Sequence, residues 1–116
     1  MTTPKPWGDK DVSTIKAKFS VGQLIHHQIF DYRGVIVDVD PRFMGSQDWY
    51  RQMAKTNPPR DRPWYHVLVD EFEHRTYVAE RNLEADSTDA PIQHPDVATH
   101  FTGIKEGHYV PRRRQN

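Results

Sequence analysis

No cysteine occurs among the 116 residues, which removes a disulfide framework, a thiolate metal site and a cysteine nucleophile together. No apolar run approaches the roughly 18 residues of a membrane span. The opening Met1-Thr2-Thr3-Pro4-Lys5-Pro6-Trp7 lacks the apolar core of a signal peptide, so the chain reads as cytoplasmic. Excess charge is missing as well: 16 basic and 16 acidic residues cancel. A protein holding nucleic acid by phosphate neutralisation alone shows a basic excess, because each phosphate needs its own Lys or Arg. There is no nucleophile elbow, no Gly-rich phosphate loop and no carboxylate pair flanking a cleft, so neither an enzyme nor a cofactor is expected.

Apolar residues make up 35% and charged residues 28%, with nine prolines, which is lean for a single small domain and places the unpacked length at the ends. The charge is distributed unevenly. Residues 1–64 hold ten basic and seven acidic residues, 65–111 hold three and nine, and 112–116 hold three basic residues alone.

The best-defined stretch is Arg33-Gly34-Val35-Ile36-Val37-Asp38-Val39-Asp40-Pro41, where Val35, Val37 and Val39 alternate with Ile36, Asp38 and Asp40 as in a half-buried strand. Gly22–Ile29 reads as its hairpin partner across the short link Phe30-Asp31-Tyr32. Gly34, just ahead of the valines, marks either a positive φ or a close backbone approach. Ser46 can cap a helix from about Gln47 to Thr56, with Trp49 and Met53 on one face and Lys55 near the negative end, stopped by Asn57-Pro58-Pro59. A second hairpin runs from Trp64 to Glu80. Both faces of its first strand carry large apolar groups, as in a central strand or one under the helix. Its loop has three or four residues, which leaves the register open.

The resulting expectation is a mainly β protein. Residues 19–83 form a small SH3-like barrel of about five strands, with the helical insertion between strands 2 and 3 and Leu83 as the last core residue. Residues 1–18 form a flexible arm, in which Trp7 would prefer a neighbouring surface. Residues 84–116 form a polar extension with a short helix near His94–Phe101, broken up by Gly103 and Gly107, and a basic tail.

Seven histidines raise the possibility of a metal, but His26 and His27 are adjacent and point to opposite faces of a strand, and no carboxylate is placed by spacing beside His66 or His74. No metal site is expected. Asp38 and Asp40 share a strand face and read as a solvated strand end. The stronger signal is aromatic and basic. Tyr32, Arg33, Trp64, Arg75 and Tyr77 come from the ends of adjacent strands, and Arg42, Arg51, Lys55, Arg60 and Arg62 lie along the insertion. With Arg112, Arg113 and Arg114 in the tail, these are the candidate residues for a protein or DNA partner. Trp64 and Tyr77 serve equally well as core. The number of aromatics around Trp64, Tyr65 and Tyr77 also suggests self-association.

The segments Lys18-Phe19-Ser20-Val21-Gly22-Gln23, Tyr32 to Pro41, Pro63-Trp64-Tyr65-His66-Val67-Leu68-Val69 and Thr76 to Leu83 together resemble the HspQ heat-shock family, also called the YccV-like hemimethylated-DNA-binding domain. The resemblance covers about Lys18 to Leu83. It implies a non-enzymatic stress-response protein that acts with a Lon-type protease on denatured client proteins, or alternatively a regulator that binds hemimethylated DNA, and it implies a homo-oligomer, with a trimer favoured. The basic, tryptophan-bearing insertion and the C-terminal tail depart from the family pattern, which makes partner choice the property these segments would alter.

Overall fold

The computed structural model describes residues 16–112. Strands β1 (Leu24–His27) and β2 (Arg33–Asp40) form the first hairpin, with Ile25 opposite Gly34. The link is longer than the three residues expected: His27 N–H bonds the Tyr32 carbonyl, and Asp31 takes φ 57° to close the turn. Aspartate tolerates that left-handed conformation better than most residues. β1 starts at Leu24 because Gly22 is used otherwise. At φ +91° its Cα lies against the Tyr109 carbonyl, and a Cβ there would sit 2.1 Å from that oxygen.

Helix α1 (Gln47–Met53) begins as expected, with Ser46 Oγ accepting from Trp49 N–H at 3.0 Å. It stops three residues short of Thr56, because Ala54 leaves helical geometry and Asn57 turns at φ 52°. Strands β3 (Trp64–Val69) and β4 (Arg75–Ala79) form the second hairpin, and Val69 N–H to His74 C=O closes it around four residues, which settles the register. A 3-10 turn (Glu80–Asn82) leads into β5 (Leu83–Ala85).

These five strands form one antiparallel sheet in the order β4-β3-β2-β1-β5. β3 lies centrally between β2 and β4, as its two apolar faces required. No ladder joins β4 to β5 among the described residues, so the sheet is curled but not closed by hydrogen bonds. Its curl is evident in the inner core, where Val78 of β4 and Leu83 of β5 join Phe19, Ile25, Ile36, Tyr65 and Val67. Gly34 lets β2 and β3 approach: a Cβ would fall 2.5 Å from Val67 Cγ1 and 2.6 Å from the Leu68 carbonyl oxygen. This is the close approach expected of it, at an ordinary strand φ.

The alternation read along the valines breaks at a β-bulge between Ile36 and Asp38. The extra residue resets the faces, so Val35 and Val37 pack outward while Val39 joins Ile36 against the inner core.

The segment after Leu83 was expected as a polar extension, yet it supplies much of a second core. Helix α2 (Val97–His100) is followed by strands β6 (Phe101–Lys105) and β7 (His108–Pro111). Glu106 (φ 52°) and Gly107 (φ 76°) form their two-residue turn, so Gly107 shapes a hairpin where interruption was expected. Ile92, Phe101 and Tyr109 bury themselves on Leu24, Val35 and Leu68, each burial worth about 1.5–3 kcal/mol. Arg33 clasps this segment to the sheet through Asp70 (2.9 Å), Asp86 (3.0 Å) and the Ala90 carbonyl. Burial alone would raise the Asp86 pKa, but hydrogen bonds from Thr88 and Arg33 outweigh it and hold the carboxyl below its ordinary value.

Candidate functional site

The bulge and the insertion together assemble an aromatic cluster on the outer face of β3 and β4. Trp64 and Tyr77 lie side by side with ring centroids 5.1 Å apart. Phe43, carried over them by the start of the insertion, reaches Trp64 at 4.8 Å, Tyr50 at 5.3 Å and both Trp49 and Tyr77 at 5.8 Å. The insertion is fastened by Trp64 Nε1–H to the Pro59 carbonyl (3.0 Å) and Tyr50 O–H to the Pro58 carbonyl (2.6 Å). The Tyr77 hydroxyl donates to Asp40 at 2.6 Å and accepts from Met44 N–H at 2.9 Å. Burial, reinforced by the Asp40 carboxylate, pushes its pKa up, so the phenol stays a donor. Burial and the neighbouring Glu80 do the same for Tyr65, whose hydroxyl donates to Glu80.

A cavity of about 350 Å³ opens beside this cluster. One wall is β4 from Arg75 to Val78; the second is Ile29, Phe30 and Tyr32 from the β1–β2 turn; the third is Trp49, Met53 and Pro58 from the insertion. Phe30 is 70% exposed, Met53 61% and Ile29 51%, so the rim is unusually apolar. Trp49 and Met53 share the helix face predicted by their spacing. Lys55 and Arg75 are the charged residues of the lining, which contains no carboxylate.

The turn wall is held by His27, which is 4% exposed. Its Nδ1 accepts from Ile29 N–H (3.1 Å) and Phe30 N–H (3.0 Å), and its ring stacks on Phe30 at 4.8 Å. Only a neutral imidazole offers that acceptor. Burial, with the adjacent His26 contributing, lowers the His27 pKa accordingly. His26 points the other way, as neighbours on a strand must. Its two ring nitrogens contact Asp31 (2.6 Å) and Glu84 (2.8 Å), an arrangement that suits the imidazolium. Those bonds, Asp31 first, raise its pKa.

The sequence-based candidates fall into four groups. Tyr32, Lys55, Trp64, Arg75 and Tyr77 line the groove, although Trp64 is only 2% exposed and Tyr65 fully buried. That burial removes the surplus of aromatics from which self-association was argued. A second group is engaged within the chain: Arg33 in its clasp, Arg51 with Asp48, Arg60 over the Tyr50 ring at 4.1 Å, Arg62 beside Asp61 at 3.7 Å, and Arg112 on the Ala98 carbonyl. Arg42 lies with Arg60 on a separate, more open concavity. Arg113, Arg114 and Trp7 lie outside the described residues.

Sequence reasoning overlooked Phe43, Phe30 and the acidic partners of His66. The bulge brings Asp38 and Asp40 beside His66, with one potential ligand atom from each within 4.8 Å of the others, a grouping that residue spacing did not reveal. Asp40 Oδ2 already takes the Tyr77 hydroxyl and lies 3.1 Å from His66 Nε2, while the exposed Asp38 accepts from the Val39 N–H.

The fold is that of a small, mainly β domain with an apolar groove at one end of its sheet. Residues 17–108 match the family described as hemimethylated DNA-binding protein YccV like, and the chain belongs to that family. The match extends to residue 108 and so includes most of the C-terminal hairpin that packs on the sheet. No helix among the described residues is long and apolar enough to cross a membrane.

Proposed function

We propose that this protein is a non-enzymatic, cytoplasmic stress-response module that captures apolar segments of denatured polypeptides and presents them to a Lon-type protease. The observation carrying this reading is the groove: apolar walls, an exposed rim of Phe30, Ile29 and Met53, and floor aromatics held in place by hydrogen bonds. A solvated apolar rim of this kind is characteristic of an interaction surface. An SH3-like barrel is the finer reading of the fold, supported by the strand order, the 3-10 turn between β4 and β5, and the shared inner core of Val78 and Leu83. Self-association, with a trimer favoured, is part of the same proposal and rests on the family resemblance.

The test is degradation of a permanently unfolded protein by Lon protease, with and without this protein. Acceleration that is lost in Phe30→Ser and Met53→Ser variants with unchanged melting curves is expected. No acceleration by the wild-type protein would overturn the reading.

The family description favours a second reading, binding of hemimethylated DNA. Its residues would be the cations of the insertion together with the tail. Phosphate contacts alone give affinity that falls steeply with salt, and replacing Arg112, Arg113 and Arg114 by alanine would reduce the slope by up to about three. Reading of methylation rests on base-edge contacts and persists as a ratio between hemimethylated and fully methylated duplex. A tenfold ratio held at two salt concentrations, worth about 1.4 kcal/mol, would put DNA first.

A further inference from the structure

We propose that the groove takes its ligand as an added β-strand: an extended peptide segment, apolar at alternate positions and acidic at one end, pairing with the open edge of β4. The inference rests on the groove being a protein-contact surface and specifies how that contact is made.

β4 is an outermost strand of the sheet. Val69 N–H bonds the His74 carbonyl and Glu80 N–H bonds the Pro63 carbonyl. With the unbroken register between β3 and β4, those bonds make His74, Thr76, Val78 and Glu80 the residues whose backbone faces β3. In an antiparallel ladder the alternate residues face the other way. Arg75, Tyr77 and Ala79 therefore turn their N–H and C=O groups away from β3, and no backbone hydrogen bond among the described residues takes them up; Ala79 is buried and outside the cavity, so Arg75 and Tyr77 are the edge residues that border it.

The cavity lies on that edge. Successive strand residues point to opposite faces of a sheet, yet Arg75, Thr76, Tyr77 and Val78 all line the same cavity. A cavity reached from both faces of one strand wraps around its edge. Free edges are ordinarily blunted by charge, by proline or by a covering element; here one flank is apolar and open. Strand addition uses such an arrangement, with main-chain bonds providing affinity and flanking pockets receiving alternate side chains. One set of ligand side chains would meet Trp49, Met53 and Tyr77, and the other Phe30 and Tyr32. Lys55 and Arg75 at the rim, with no carboxylate in the lining, suit an acidic residue at one end of the segment. A segment of this pattern is buried in a folded client and exposed once it unfolds, which ties the binding mode to denatured proteins.

The probe is a fluorescein-labelled decapeptide alternating leucine and threonine with a terminal aspartate, titrated by anisotropy against the full chain. Two further versions carry N-methyl groups on alternate backbone amides, one on each alternate set. Strand addition predicts that one set weakens binding by about tenfold while the other stays within about twofold, because only one set of amides faces β4. Arg75→Glu should weaken the aspartate-ended peptide about threefold more than a lysine-ended one. Equal affinities for both methylated versions, or equal losses, would overturn the proposal. If the decapeptide fails while the unfolded protein still binds, strand addition alone falls; if both fail, the functional reading falls with it. Oligomers that Arg75→Glu dissociates and the peptide does not would make a second copy the occupant, which also overturns it.

Discussion

Replacing Gly34 by alanine opposes two effects of known sign at one buried position. Its φ is not positive, so alanine is compatible with the backbone and would stabilise by about 0.4–1 kcal/mol through the unfolded chain. Against this, the new Cβ would lie 2.5 Å from Val67 Cγ1 and 2.6 Å from the Leu68 carbonyl oxygen. Reaching ordinary contact requires β2 and β3 to part by roughly 0.8–0.9 Å in a close-packed interior. The Leu68 oxygen is backbone in a central strand and cannot swing aside as a side chain would. Overpacking of this kind costs about 1–3 kcal/mol, so the clash prevails and the net loss is about 1–2 kcal/mol. For a chain of this length the midpoint of thermal unfolding should fall by about 4–8 °C. Gly103→Ala is the internal control, because a Cβ there meets nothing within 4 Å; its midpoint should stay within about 2 °C of wild type. Circular dichroism melts of the three proteins decide the matter. A Gly34→Ala protein melting at or above the wild type would refute the close-approach argument.

Arg33→Met should cost about 2–3 kcal/mol, because it strands the Asp70 and Asp86 carboxylates, whose side chains are 14% and 5% exposed; hydrogen exchange should quicken across residues 86–92 ahead of the sheet. His26 has a raised folded pKa, so its contribution is fully present below its ordinary value near 6.5 and is lost as pH rises through the folded value. The gap in urea stability between wild type and His26→Ala should therefore be widest in mild acid and shrink toward alkaline pH; a gap that widens with pH would contradict the imidazolium assignment. His27 runs oppositely: its contribution is present above its ordinary value and lost as pH falls through the lowered folded value. His27→Gln should flatten the acid limb of the stability curve. Phe43→Ala should shift the tryptophan emission, since Phe43 packs on both Trp49 and Trp64, and should lower stability by about 1–3 kcal/mol.

The strands and the helix start were legible because their signals are local. Valine alternation marks β2, Pro41 follows its end, and Ser46 caps the helix three residues before Trp49. The bulge was not legible, since alternating valines look the same on either side of an inserted residue. The C-terminal hairpin was missed because Ile92, Phe101 and Tyr109 are sparse among polar residues, and only tertiary packing makes them core. Part of the candidate site was visible in Tyr32, Trp64, Arg75 and Tyr77 as strand-end residues. Phe43 sits in a stretch without periodicity, and Arg33 read as a binding residue because its acidic partners lie 37 and 53 positions away.

The central claim is that the groove along β4 is the surface that meets an unfolded polypeptide. Amide chemical-shift mapping of the isotope-labelled full chain, titrated with a carboxymethylated, permanently unfolded protein, tests it directly. Perturbations concentrated at Ile29, Phe30, Met53 and Arg75–Ala79 are predicted. Perturbations confined to Arg42 and Arg60–Arg62 and elicited by duplex DNA, with the groove signals unmoved by the unfolded protein, would contradict it.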